Sequence, residues 1–359
     1  MGRVYQGLMR YHLHFTLDYE IHGNGDGNPL SLMVEPTQRL MNLLEKYGQR
    51  VTIMADVAEI LAFKRYYYET GRDDFHSLEI EEQLREAILR GHDVQLHIHS
   101  SWFKAEWNGK KWDQCVDEYN LAALPAQRIE EMVGVCVDYL QGLLTSVKPD
   151  YKVWLFRAAN WSMIPTENLY HALLKHGIVA DTSVYKGGVQ GGNVCYDYRK
   201  AWHNLLSYPA SASDINLVAT EGQNEVLTEY PIYTEMRPFW AFVTPIRMFR
   251  MVRAKFHRHK HGSSYTDSSN EVAKADNRSI TVRSFFKKSP WKMDFNQATG
   301  MQLIAAMKRI LSLDIEGREK VDVVLIGHSK SFLKYNERSF EKFLKWIANS
   351  PLIFNSLGE

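Results

Sequence analysis

The sequence predicts an α/β protein whose parallel strands and helices form a (β/α) barrel. Segments with strand character alternate along the chain with amphipathic helical segments, which is the pattern of parallel βα units. Polar residues lie at the carboxyl ends of several predicted strands, which is where barrel enzymes carry their functional groups. The 359 residues, 45% of them hydrophobic and 24% charged, are enough for one large barrel domain or two smaller domains.

The first strand is predicted over residues 11–20 because its side chains alternate with period two. Apolar residues such as Leu13 and Phe15 share one face, and Asp18 and Glu20 share the other. Later helices are predicted to end at Gly91 and Gly177, since glycine is favoured just past a helix. We predict helices over 36–47, 80–90, 127–144, 166–176 and 300–313, and strands over 50–54, 92–99, 152–157, 178–181, 226–230 and 321–326.

A second strand with the same alternation carries two imidazoles. In 93–99, Leu96 and Ile98 share the apolar face, whereas Gln95, His97 and His99 share the polar face. Carboxylates on the first strand and a His-x-His on this one make a plausible site for a divalent metal ion and an activated water.

The composition of the chain limits which classes of partner and which cellular compartment are expected. The formal net charge of +1 gives no global field of the kind that attracts nucleic acid, and none is expected as a partner. The three cysteines, Cys115, Cys136 and Cys195, have no paired-ligand spacing and favour a reducing compartment. No signal peptide or continuous transmembrane run is recognised, so a cytoplasmic location is expected.

One stretch departs from the strand–helix alternation and is predicted to be a basic, aromatic insertion over 236–292 within a single domain covering 1–359. Its segment 239–260 combines five aromatic residues with six Lys or Arg suited to a surface. Two interpretations remain open: a surface helix packed on the barrel, or an interfacial helix that binds an anionic membrane surface peripherally.

Five short motifs, in order along the chain, resemble those of a known family. They are Thr-Leu-Asp-Tyr-Glu at 16–20, Gly-His-Asp-Val-Gln-Leu-His at 91–97, Phe-Arg-Ala-Ala-Asn-Trp at 156–161, Gly-Ile-Val-Ala-Asp-Thr-Ser at 177–183 and Leu-Ile-Gly-His at 325–328. Together they resemble the polysaccharide deacetylases with NodB homology, similar to carbohydrate esterase family 4. The motif Phe-Arg-Ala-Ala-Asn-Trp at 156–161 and the terminal Gly-His-Ser-Lys at 327–330 resemble those of the branch found among bacterial surface-polysaccharide biosynthesis proteins.

The resemblance implies a distorted (β/α) barrel and metal-dependent removal of an acetyl group from an N-acetylated sugar. By resemblance, Asp18 is the general base and His328 the general acid. Arg157 would hold Asp18 ionised through a charge-assisted hydrogen bond, and Asp181 would keep His328 protonated.

The metal ligands are where this chain departs from the family. The common first motif has a second Asp where this chain has Tyr19, and the common second imidazole falls where it has Ser101. Glu20 fits the spacing of a ligand in some branches, and His97 and His99 point the same way from a strand. The expected ligands of a divalent ion, zinc by preference, are therefore Glu20, His97 and His99. Weaker coordination or loss of the metal stays open.

Two tryptophans are candidates for contact with the substrate. Trp102 and Trp161 follow motif residues and either stack on a sugar ring or pack in the core. The favoured function is a de-N-acetylase of a surface-polysaccharide pathway, acting on a carbohydrate that is lipid-linked if the insertion binds membrane. The alternatives are a related C–N hydrolase of a small amide and a sugar-binding relative without catalysis.

Overall fold

The computed structural model describes residues 10–21, 23–220, 222, 225–238, 241–242, 288–313, 315, 319–351 and 353–355. Its barrel strands are β1 (Arg10–Tyr19), β2 (Val51–Asp56), β3 (Asp93–Ile98), β4 (Leu155–Ala158), β5 (Ala180–Asp181), β6 (Thr228–Glu229) and β7 (Lys320–His328). Its helices are α1 (Glu35–Glu45), α2 (Val57–Thr70), α3 (Ser77–Leu89), α4 (Ala126–Leu144), α5 (Thr166–Lys175), α6 (Gly300–Leu311) and α7 (Lys334–Ala348).

The barrel strands are parallel to their neighbours and follow the order β6-β5-β4-β3-β2-β1-β7. Just past β6, Ile232 forms a parallel bridge with Val324 of β7. The N–H of Tyr233 donates to the carbonyl of Val324 at 3.1 Å, which closes the ring. Strands β5 and β6 have two residues each, against ten in β1. The distorted (β/α) barrel predicted from the sequence is therefore confirmed.

Short strands decorate the barrel. Tyr208–Pro209 runs antiparallel to β6, and Ile353–Asn355 pairs with β1 at its amino end. Three antiparallel pairs lie outside the main sheet: Glu106–Trp107 with Trp112–Asp113, Val189–Gln190 with Tyr196–Asp197, and Thr234–Pro238 with Lys288–Lys292.

The predicted insertion over 236–292 is described only at its two ends. Residues 234–238 and 288–292 form an antiparallel pair that brings those ends together. Most of the segment 239–260, including Arg247, Arg250 and Arg253, lies outside the described residues, so its two interpretations stay predictions. Among the residues that are described, no helix is long and apolar enough to cross a membrane.

The alternation read in β1 sorts its side chains between the helical layer and the barrel interior. Leu13, Phe15 and Leu17 are buried. The ring of Phe15 meets Phe340 and Phe343 of α7, with centroids 5.8 and 6.4 Å apart. Each such side chain contributes about 1.5–3 kcal/mol through burial. This packing fixes the register of β1 and so turns its polar residues to the interior.

Helix α2 has clear local signals at both ends. The carboxylate of Asp56 accepts from the N–H of Glu59 at 3.4 Å, which caps the first turn. The helix ends at Gly71, whose φ of 70° lies in the left-handed region that favours glycine. The sequence analysis predicted no helix over these residues.

A buried histidine ties the start of β3 to β2 and α1. The Nδ1 atom of His92 accepts from the N–H of Val51 at 3.1 Å, and Nε2 lies 2.9 Å from a carboxylate oxygen of Glu45. Burial lowers the pKa of His92 to about 4, although Glu45 opposes the shift. The imidazole is therefore neutral in the folded protein at neutral pH.

We expect His92 to make the fold sensitive to acid. The unfolded chain takes up a proton here near pH 6.5, whereas the native state takes it up only near pH 4. Stability is therefore unaffected above that window and falls as pH drops through it, by up to about 3 kcal/mol. In urea unfolding at pH 7.5 and 4.5, His92→Gln should lose less stability on acidification than the wild type. His171→Gln, on the exposed side of α5, is the control. Equal losses in all three proteins would contradict this assignment.

Candidate active site

The carboxyl ends of β1, β3, β4 and β7 bring the sequence-predicted polar residues together. The parallel register places Asp18 beside His328 and His97 beside Arg157. Their side chains share the inner face of the barrel, because each lies on the same side of the pleat as its neighbour. These four residues come from four separate motifs and meet at one end of the barrel.

Asp18 is buried and held by Arg157. Nη1 of Arg157 donates to Oδ1 of Asp18 at 2.6 Å, and Nη2 donates to Oγ1 of Thr16 at 2.7 Å. Nε of Arg157 donates to the carbonyl of Thr182 at 3.0 Å, so the guanidinium is fixed in its plane. Burial alone would raise the pKa of Asp18, but Arg157, then His328, outweigh it and hold that pKa below its usual value. Asp18 is an ionised carboxylate at neutral pH.

His328 lies near Oδ2 of Asp18, whereas Arg157 binds Oδ1. Its Nε2 is 3.5 Å from Oδ2 of Asp18, and its side chain is 17% exposed, whereas that of Asp18 is 4% exposed. The N–H of His328 donates to Oδ1 of Asn296 at 2.6 Å, which fixes the backbone after β7. His328 is therefore the site residue that faces the entrance, and Asp18 lies beneath it.

Glu20, His97 and His99 form a buried cluster beside Asp18. Their candidate ligand atoms lie within 4.8 Å of one another. Oε2 of Glu20 is 2.8 Å from Nε2 of His99 and 3.9 Å from Nε2 of His97. The three residues predicted as metal ligands are thus brought together and could hold a metal ion.

The protonation state of His97 suits a ligand. Its Nδ1 lies 2.8 Å from the carbonyl of Arg157, which can only accept, so the proton sits on Nδ1. Burial lowers the pKa of His97 to about 4, which keeps the ring neutral. Nε2 is buried without a hydrogen-bond partner. A buried lone pair aimed at a carboxylate and a second imidazole fits a divalent cation.

Lys330 is a member of this site to which the sequence reading gave no role. Its Nζ donates to Oε1 of Glu20 at 2.8 Å and to the carbonyl of Ile21 at 3.1 Å. Burial would raise the pKa of Glu20, but Lys330, followed by His99, outweighs it and holds that pKa well below its usual range. The Gly-His-Ser-Lys motif could have signalled this contact, since Lys330 stands two residues after His328.

Two further buried acids lie behind the cluster. Oδ1 of Asp56 accepts from the N–H of His99 at 3.1 Å, and Glu59 accepts from the N–H of Ile21 at 3.0 Å. Burial raises the pKa of Asp56 to about 7 and that of Glu59 well above its usual value. They fix the backbone that presents His99 and Glu20. The available signal was the polar end of β2, which the sequence reading ended at Met54, before Asp56.

The predicted partnership of Asp181 with His328 is not formed. The carboxylate of Asp181 accepts from the N–H of Ser183 at 3.0 Å and from its hydroxyl at 2.7 Å, and it makes no contact with His328. The second acid that interacts electrostatically with His328 is the buried Asp294, next to β7. The carboxylate of Asp181 is instead turned back onto Ser183, two residues further along its own segment.

The two tryptophans for which sugar stacking and core packing were both open lie in different surroundings. Trp102 is 1% exposed and packs edge-on against Phe63, with Trp112 beside it, so it has no free face and belongs to the core. Trp161 is half-buried at the entrance, and its ring centroid is 6.0 Å from that of His328. Contact between Trp161 and a substrate stays a prediction.

The two residues that depart from the family motifs are not near the cluster. Tyr19 points to the helical layer, where its hydroxyl donates to Oε1 of Gln83 at 2.8 Å. The hydroxyl of Ser101 donates to Oε1 of Gln114 at 2.7 Å. Neither takes the place of a missing ligand, so the cluster consists of Glu20 and the His-x-His pair.

The similarity of this chain to known proteins is confined to solved structures of low sequence identity. No family model and no curated protein matches the sequence. Among solved structures, a probable polysaccharide deacetylase from Pseudomonas aeruginosa PAO1 aligns at 13% identity over 98% of this chain and 89% of its own, with a TM-score of 0.47.

Two other structures show the range of the likeness. A protein named a polysaccharide deacetylase from Mycobacterium smegmatis aligns at 11% identity over 98% of this chain and 88% of its own, with a TM-score of 0.45. Puue allantoinase aligns at 12% identity over 98% of this chain and 89% of its own, with a TM-score of 0.47. These similarities assign no chemistry, which depends on the residues of the site.

Proposed function

We propose that this polysaccharide deacetylase-like protein is a metal-dependent de-N-acetylase of an N-acetylated sugar. One observation carries the proposal. Asp18, kept ionised by Arg157, lies 3.5 Å from His328 and interacts electrostatically with His97 and Glu20 of the cluster. A base, an acid and a candidate metal site around one point are the groups that amide hydrolysis requires.

Each residue of the site has a separate role in the proposed hydrolysis. A divalent ion held by Glu20, His97 and His99 would supply an activated water and polarise the amide carbonyl. Asp18 accepts the proton of the attacking water, because its low pKa leaves it unprotonated and its position next to the cluster puts it within reach. Arg157 keeps that carboxylate oriented through the transfer.

The departing amine needs a proton from a group on the open side of the site. His328 is that group, because its side chain is the more exposed of the pair and lies 3.5 Å from Asp18. His328 is therefore assigned as the acid and Asp18 as the base of the same hydrolysis.

A second candidate function is favoured by Lys330. Its ammonium already neutralises Glu20, so the cluster is electrostatically complete without a divalent cation. A sugar-binding protein without catalysis would be consistent with that ion pair. A C–N hydrolase of a small amide shares the site chemistry with the first proposal and differs only in the substrate.

The three functions are separated by the products formed. We expect zinc-loaded protein to release acetate from N-acetylglucosamine oligosaccharides, measured by an acetate-coupled assay, and to leave allantoin intact, measured by chromatography of the ring-opened product allantoate. Ring opening of allantoin without acetate release would favour the small-amide hydrolase. Saturable oligosaccharide binding with neither product, at any added divalent metal, would favour the sugar-binding protein.

We also propose that the enzyme acts in a surface-polysaccharide pathway in the cytoplasm, on a lipid-linked sugar at a membrane. The support is the composition of segment 239–260, in which each Lys or Arg near an anionic surface would contribute about 1 kcal/mol.

In liposome co-sedimentation, Arg247→Glu, Arg250→Glu and Arg253→Glu together should abolish binding to anionic vesicles. Lys334→Glu, Lys342→Glu and Lys345→Glu on α7 make the same change in charge and are the control. Equal pelleting of both triple variants would contradict the proposal.

A further inference from the structure

Hydrogen bonds connect the segment Asp-Thr-Ser at 181–183 to the backbone that follows Arg157. The hydroxyl of Ser183 donates to Oδ1 of Asp181 at 2.7 Å and accepts from the N–H of Ala158 at 2.8 Å. The N–H of Ser183 donates to Oδ2 of Asp181 at 3.0 Å. All three residues are buried. The carboxylate of Asp181 therefore acts on the end of β4 through one hydroxyl, at the residue next to Arg157.

The turn that follows Ala158 has a strained backbone. Asn160 and Trp161 have φ values of 51° and 60°, in the left-handed region that residues with a side chain rarely adopt. Such a conformation persists only where the surrounding structure holds it. The turn brings the ring of Trp161 edge-on to that of His328, with centroids 6.0 Å apart. A strained turn at the entrance to the site therefore depends on the contacts that hold it.

Buried hydroxyls hold this turn at both ends. Before the turn, Ser183 accepts from Ala158. After it, the hydroxyl of Tyr198 donates to the carbonyl of Trp161 at 2.5 Å and accepts from the N–H of Met163 at 3.0 Å. Each hydroxyl both donates and accepts, so removing either one leaves a backbone N–H group without its partner.

A second buried acid lies beside Asp181. Glu229 is its neighbour in the parallel pairing of β5 and β6, and Oε1 of Glu229 accepts from the N–H of Val184 at 3.1 Å. Burial raises the pKa of both carboxyl groups, and Asp181 raises the pKa of Glu229 further, to well above its usual value. Glu229 is therefore the protonated member of the pair, and Asp181 remains the acceptor for Ser183.

We propose that Asp181, Ser183 and Tyr198 are positioning residues that hold the strained turn at the entrance to the proposed deacetylase site. The inference rests on the proposed function, and it gives Asp181 a different role from the one implied by the family resemblance. Asp181 acts through the hydrogen bond that Ser183 relays, and not through the effect of its charge on His328. An amide oxygen in place of the carboxylate should therefore serve nearly as well.

Hydrogen exchange at the Ala158 amide, read by NMR on the full chain, tests this relay without turnover. Ser183→Ala should speed the exchange by about tenfold, the usual effect of losing one hydrogen bond. Asp181→Ala should also speed it, because the Ser183 hydroxyl is then free to turn away. Asp181→Asn should stay near the wild type, since its side-chain oxygen still accepts from Ser183.

Ser77→Ala is the matched control for Ser183→Ala. The hydroxyl of Ser77 is on a buried residue at the start of α3 and donates to Oδ1 of Asp73 at 2.7 Å. Its removal should leave exchange at Ala158 unchanged. Ser183→Cys keeps the shape of serine but is a weak donor and acceptor, so it should give the same result as Ser183→Ala if that variant does not fold.

Acetate release shows whether the turn serves the site. In Ser183→Ala and Tyr198→Phe, kcat should fall about ten- to a hundredfold with little change in KM, as for groups misplaced in the transition state. Asp181→Asn should keep most of kcat and the wild-type alkaline limb of the pH–activity profile.

Four results would each overturn the proposal. They are unchanged exchange at Ala158 in the Ser183 variants, unchanged kcat in those variants, equal effects of Asp181→Asn and Asp181→Ala, and an alkaline limb that moves in Asp181→Asn. If the wild type releases no acetate, the proposed function fails, and the exchange rates still decide whether Asp181 acts through Ser183.

Discussion

Replacing Asp18 with Asn is expected to lower kcat for acetate release by about a thousandfold or more while leaving zinc bound, the usual scale for loss of a general base. Asn has the same shape and its side-chain oxygen still accepts from Arg157, so the fold is retained. It cannot take a proton from water. The assignment of Asp18 as base, and of Glu20 as ligand, requires activity and metal content to separate in this variant.

The control for Asp18→Asn is the same change elsewhere in the barrel. Asp322 on β7 also faces the interior, but it pairs with His14 at 2.7 Å and has no contact with the site. Asp322→Asn should retain acetate release and zinc. Zinc is counted by elemental analysis of each purified protein. If Asp18→Asn loses its zinc, Asp18 is a ligand and the roles given to Asp18 and Glu20 must be exchanged.

Replacing Arg157 with Met should destabilise the protein and inactivate it together. Arg157 is fully buried, and its removal leaves the Asp18 carboxylate without its cation, which typically costs about 3–5 kcal/mol. The pKa of Asp18 should rise, because burial then dominates. Any remaining activity should therefore appear only at higher pH, where Asp18 ionises.

The double variant distinguishes an electrostatic role from a packing role. Arg157→Met combined with Asp18→Asn removes both charges, so urea unfolding should show much of the lost stability restored. If the two effects simply add, Arg157 acts through packing and its proposed hold on Asp18 is wrong. Arg157→Lys keeps the charge but loses the planar fork to Thr16 and Thr182, and should fall between wild type and Arg157→Met.

The strand residues of the site could be predicted because strand geometry alone fixes their direction. Period-two alternation put Asp18 with Glu20, and His97 with His99, on the faces they occupy. The distorted barrel, too, could be predicted from alternating strands and helices together with the motif resemblance. Local pattern is sufficient where one strand face packs against helices and the other lines the interior.

The contacts made by turns and by segments outside the barrel strands could not be predicted in this way. Lys330 reaches Glu20 only through the turn that follows β7, and Asp294 joins the site from a segment outside the barrel strands. The family resemblance implied Asp181 as the partner of His328, but the carboxylate of Asp181 accepts hydrogen bonds from Ser183 instead. Trp102 follows a motif residue in sequence, yet the turn after β3 directs it to the core.

The most direct test of a metal-dependent deacetylase at this site is a zinc titration of chelator-stripped protein, followed by acetate release. We expect activity to be absent without metal and to rise in proportion to zinc until one ion is bound per chain. Glu20→Gln should bind zinc at least about tenfold more weakly, which is the lower range for loss of groups that tune a metal site. Full activity in the metal-free protein, or equal zinc affinity in Glu20→Gln, would contradict the account.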